Sequence, residues 1–171
     1  MINLATGDFK LDDYGLIIHP NLTFSQFKAG DILFSPPGPP TNLGYSFCYF
    51  TAFMDGLNFE FGIHFKFEEI QRLFLYPPES GYVSRDDLKP QLDDWLSKAT
   101  KHSPPYEFEW GCIRPAEIDI KGGELSIFVM FRNAILDLGF KDMESYYEYW
   151  RTELHYANLR TEKLKNKNPE K

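Results

Sequence analysis

Bulky apolar side chains alternate with polar ones along residues 59–68. Phe59, Phe61, Ile63, Phe65 and Phe67 fall on one parity and Glu60, Gly62, His64, Lys66 and Glu68 on the other, the period-2 signature of a strand with one dry face. The run Tyr45 to Phe53 leads into it through Met54-Asp55-Gly56, and Asp-Gly is a strong hairpin signal. Loop length decides which faces meet, because a slip of one residue turns every side chain to the other face. A two-residue Asp55-Gly56 loop places Phe47, Tyr49 and Phe53 beside Glu60, His64 and Lys66. A three-residue loop with Gly56 left-handed pairs Thr51 with Phe59, Tyr49 with Phe61, Phe47 with Ile63 and Tyr45 with Phe65. The second register gathers the bulky residues and is the one expected. It leaves Ser46, Cys48, Phe50 and Ala52 with Glu60, Gly62, His64 and Lys66 on the other face.

Around this hairpin the pattern predicts further elements. Phe9 to Ile18 reads as two short strands joined near Asp12-Asp13, and Thr23 with Gln26 has capping-box spacing before a short helical turn closed by Gly30. Ile32-Leu33-Phe34 reads as a short strand, and Ser35 to Pro40, with four prolines, as a stiff connector. Ile70 to Tyr76 continues the sheet. Leu88, Leu92, Trp95, Leu96 and Ala99 recur at helical spacing, with Ser84 and Asp87 as a capping pair, so a helix is expected from 84 to 102. Phe108 to Ile113 and Leu125 to Phe131 read as a second hairpin turning near Lys121-Gly122-Gly123. Apolar residues on both parities of Leu125 to Phe131 mark a strand covered on both sides. A short helical piece near Ala134 to Leu138 precedes a helix from Met143 to Lys165, striped by Tyr146, Tyr147, Trp150, Leu154 and Ala157. The expected fold is a single α+β domain over residues 1–160, a mainly antiparallel sheet of about five to seven strands packed by two main helices. Residues 161–171 form a charged tail.

Charge narrows the function classes. The formal net charge is −7, and the last twelve residues hold five basic against two acidic side chains, so the rest stands near −10. Such a body repels phosphate backbones, which disfavours direct nucleic-acid binding, and attracts basic partners. The chain has no basic leader followed by an apolar run and no stretch near the roughly 20 apolar residues that span a bilayer. With Cys48 and Cys112 as its two cysteines, a disulfide framework is excluded, and a cytoplasmic setting is expected.

No phosphate-binding glycine loop, dinucleotide fingerprint, zinc-protease helix or nucleophile elbow is present. His19, His64, His102 and His155 lack partners at helical spacing, and no metal or cofactor is implied. The expected register puts Cys48 near His64 and Glu60, an arrangement able to support nucleophilic or small-molecule chemistry on that face. The other candidates are acids suited to a basic partner: Asp86, Asp87, Asp93 and Asp94 on the predicted 84–102 helix, and Glu107, Glu109, Glu117 and Asp119 on the following strands. Each group also reads simply as a solvated face.

The strand ending in Trp110-Gly111, the Asp119-Ile120-Lys121 turn region, the alternating strand Leu125 to Phe131, the acidic body and the long terminal helix together resemble small bacterial immunity proteins of polymorphic-toxin and contact-dependent inhibition systems. The likeness covers roughly residues 75 to 131 and transfers no residue role. It implies a non-enzymatic protein whose partner is a cognate, basic toxin, bound and blocked at its active-site cleft.

Overall fold

The computed structural model describes residues 1–30, 43–77, 85–118 and 125–153, with backbone alone for Arg85, Asp86 and residues 115–118. The expected Ile32–Phe34 strand, proline-rich connector, Ser84 cap, Lys121–Gly123 turn and everything after residue 153 lie outside the described residues, as does Asp119.

The chain opens with three short strands, β1 (Ile2–Asn3), β2 (Asp8–Lys10) and β3 (Ile17–Ile18), paired antiparallel in a small sheet of order β1-β2-β3. Helix α1 (Phe24–Ala29) follows. The Thr23 side chain takes the Gln26 N–H while Gln26 reaches back to the Thr23 N–H, so the capping box read from the sequence is formed. Then come β4 (Tyr45–Met54), β5 (Leu57–Lys66), β6 (Glu69–Tyr76), helix α2 (Arg85–Thr100), β7 (Tyr106–Phe108), β8 (Gly111–Ile118), β9 (Leu125–Phe131), helix α3 (Arg132–Asp137) and helix α4 (143–153). The main sheet has six strands in the order β4-β5-β6-β9-β8-β7, antiparallel throughout. This is the α+β arrangement expected from the sequence. β9 lies at its centre, as its two-sided apolar pattern requires.

The hairpin register differs from the expected one. The loop has two residues, Asp55 at φ 49° and Gly56 at φ 77°. Met54 therefore pairs with Leu57, Ala52 with Phe59, Phe50 with Phe61, Cys48 with Ile63 and Ser46 with Phe65. Two successive positive φ values make the primed turn whose twist matches the strands, which Asp-Gly adopts readily. Volume explains why the core accepts this register. Of the fully buried β5 residues, Phe59, Ile63 and Phe65 face the small partners Ala52, Cys48 and Ser46, and Phe61 alone faces another ring, Phe50, so a thick row meets a mostly thin one. Phe50 stacks on Phe61 at 5.2 Å.

One apolar cluster fills the space between the inner face of the six-stranded sheet and a layer made of the small sheet, α1 and α2. Phe27 of α1 sits 5.7 Å from both Phe50 and Phe65, Trp95 of α2 lies 4.7 Å from Phe59, and Phe9 of β2 meets Trp110 and Phe131 edge-on. Each such buried ring contributes about 2 to 3 kcal/mol of transfer free energy. A second cluster lies on the outer face, where α3 and α4 cover the β8–β9 side through Cys112, Met130, Ala134, Ile135, Met143, Tyr146 and Tyr147.

The expected Phe108–Ile113 strand is two strands, because the chain reverses at Glu109-Trp110 and Phe108 pairs with Gly111. Gly111 has φ 152°, and a Cβ there would stand 2.2 Å from the Met130 carbonyl oxygen. A glycine is needed for the backbone to pass.

Candidate functional site

Both candidate surfaces read from the sequence are redrawn by the sheet. Cys48 is fully buried on the inner face, whereas His64 pairs with Phe47 on the outer one. The proposed Cys48–His64–Glu60 grouping does not form. Burial also pushes the Cys48 thiol up to about 11, the opposite of what a nucleophile needs. Cys112 is buried likewise and stands at about 11.

On the outer face, the observed register turns Tyr45, Phe47, Tyr49 and Phe53 to the same side as Glu60, His64 and Lys66. Rings from β6 and β9 extend the surface: Phe74 stacks on Phe128 at 4.9 Å and on Tyr76 at 5.9 Å, and His64 lies 4.3 Å from Phe47 and 4.8 Å from Phe74. Gly62 makes room for them, since a Cβ there would meet the Tyr49 ring at 3.0 Å and the Tyr76 ring at 3.3 Å. The expected register set Ser46, Cys48, Phe50 and Ala52 beside Glu60, His64 and Lys66 instead. The structure shows a ring-paved surface, with Phe53 45% and Tyr49 36% exposed.

The acids separate into two groups. On α2, Asp93 is held by Lys89 at 2.7 Å and Asp94 by Lys98 at 2.6 Å, each one helical turn away. These carboxylates already have their own cations, and such exposed pairs leave little net field. Asp87 is exposed at the start of the helix, while the Asp86 side chain is outside the description. α2 packs through Leu92, Trp95 and Leu96 into the inner cluster. Glu107 pairs directly with Cys112, whose side chain belongs to the outer cluster. The α2 acids and Glu107 therefore lie on opposite sides of the sheet and do not form one surface. Glu117 lies in β8 opposite Ser126, and its side chain is outside the description.

Glu107 and Glu109 belong to an open cleft of 480 Å³ formed where β7 meets the start of α4. Its lining adds Asp142 and Glu144, two arginines, Arg132 and Arg151, and the apolar walls Phe108, Met143 and Tyr147. Four carboxylates thus face two guanidinium groups. Glu107 is nearly buried, its side chain 10% exposed against 53% for Arg151, which bonds it and also reaches Glu144 at 3.1 Å. These bonds raise the Arg151 pKa above its ordinary value, the Glu107 bond contributing most.

The frame of the cleft is fixed by two devices. Tyr147 accepts the Phe108 N–H at 3.0 Å, and its hydroxyl sits 2.6 Å and 2.7 Å from the Phe108 and Gly111 carbonyl oxygens as donor. This clasps the β7–β8 turn to α4, and burial of that hydroxyl raises its pKa. Asp142 caps α4, accepting the Ser145 N–H at 2.9 Å, while its own N–H meets the Ser145 hydroxyl at 3.3 Å. The bond from the Ser145 N–H holds the Asp142 carboxyl below its ordinary value.

Asp142, Glu144, Arg132 and Arg151 were not singled out from the sequence, and Tyr147 was read there as part of the apolar stripe of the terminal helix. The one local signal was Asp142 three residues before Ser145, a capping arrangement that fixes where α4 begins. Among the described residues no three His, Cys, Asp or Glu side chains gather as a metal-holding group, and no helix is long and apolar enough to cross a membrane. Comparison with protein-family models, curated proteins and solved structures returns no match.

Proposed function

We propose that this chain is an immunity-type binding protein that neutralises a cognate bacterial toxin by setting an acidic surface against the toxin's basic active site, with the β7–α4 cleft at the centre of that surface. The supporting observation is the cleft's composition: four carboxylates, Glu107, Glu109, Asp142 and Glu144, against two guanidinium groups, Arg132 and Arg151, leave negative charge in excess even with Arg151 holding Glu107 and Glu144, and Phe108 and Tyr147 form the walls. A guanidinium or ammonium group from a partner finds charge there and flat rings to lie against. The net charge of −7 adds long-range attraction for a basic protein, which speeds encounter and excludes acidic competitors. The resemblance of the sequence to immunity proteins supplies the toxin as partner. No bond-making step is required of any residue.

The test is co-purification with the product of the neighbouring reading frame, followed by titration of the complex at rising salt. Affinity is expected to fall steeply with ionic strength, and Glu109→Lys with Glu144→Lys to lower the association rate roughly tenfold or more at low salt. Salt-insensitive binding, or binding untouched by the reversal in a protein with an unchanged circular-dichroism spectrum, overturns the reading.

A further inference from the structure

We draw no further inference here: the strongest candidate, the ring-paved outer face of β4–β6 around Phe47, Tyr49 and Phe74, is an apolar sheet face for which nothing in the structure shows what covers it.

Discussion

Cys48 and His64 stand almost opposite one another in the β4–β5 hairpin, yet their side chains leave the sheet on different faces, because Cys48 is paired with Ile63 and His64 with Phe47. Both thiols are buried and hard to ionise, at about 11. In the native protein at about pH 8, where an ordinary thiol near 8.5 is partly ionised, iodoacetamide should leave Cys48 and Cys112 unmodified, and both should react once the chain is unfolded. Mass spectrometry of the timed reaction decides it. Rapid native alkylation of Cys48, slowed by His64→Ala, would restore the nucleophile that the structure removes.

The same register makes a stability contrast. Phe61→Ala deletes a fully buried ring stacked on Phe50 and should cost about 3 to 5 kcal/mol. Phe53→Ala removes a ring that is 45% exposed at the end of β4 and should cost about 1 kcal/mol or less. In the three-residue register the β4 residues of odd number would face the core with Phe61, and Phe53→Ala would then be expensive. Urea midpoints of the two variants, with unchanged slopes, distinguish the registers.

That contrast shows what was legible in the residues and what was not. Alternation of Phe59 to Phe65 revealed β5, and Thr23 with Gln26 revealed the α1 cap, because both signals are local. Register was misjudged because β4 is aromatic on one parity and apolar but smaller on the other. Gathering the largest rings ignored the fact that a row of phenylalanines needs thin partners, which Ala52, Cys48 and Ser46 supply. The two positive φ angles at Asp55-Gly56 follow from turn chemistry that was visible and outweighed by a count of bulk. The site was half legible: Glu107 and Glu109 stood out as a pair of acids, but their neighbours Asp142, Glu144 and Arg151 arrive from a helix more than thirty residues later. Nothing local encodes that approach.

The clasp between α4 and the β7–β8 turn rests on one hydroxyl. Tyr147→Phe keeps the ring in the outer cluster and removes the acceptor for the Phe108 N–H and the donor to the Gly111 carbonyl. Leaving those backbone groups without their partner should cost about 1 to 3 kcal/mol, read from denaturant unfolding. Amide exchange at Phe108 should accelerate in the same variant. A protein as stable and as protected as wild type would show that the turn is held by pairing to β8 alone.

Acid should loosen two helix starts. Glu68 accepts the Ser25 N–H at 2.9 Å at the start of α1, and Asp142 that of Ser145 at the start of α4. Those bonds hold both carboxyls below their ordinary values of 4.5 and 3.8. With folded values below unfolded ones, the unfolded chain binds more protons in between. The contribution is therefore complete above the ordinary values and is lost as pH falls through the folded ones. Unfolding free energy measured from about pH 6 to about pH 3 should decline, and the decline should be shallower in Glu68→Gln and in Asp142→Asn. Equal slopes in all three proteins would mean that other acids set the acid limb.

The placement of the binding surface can be tested independently of total charge. Asp87→Asn with Asp94→Asn on α2 and Glu109→Gln with Glu144→Gln at the cleft each remove two negative charges from the same chain. A partner attracted only by the overall field would respond alike to both. A partner seated at the cleft loses nearby carboxylates in the second variant, whereas the first frees Lys98 from Asp94 on the far side of the sheet. At about 0.15 M salt, where the screening length is about 8 Å, the cleft variant should weaken the complex several-fold more than the helix variant. Because the dissociation rate reports contacts at the seat more than distant steering, the difference should persist there. If the helix variant proves the more damaging, the basic partner binds on the α2 side and the cleft is not its seat.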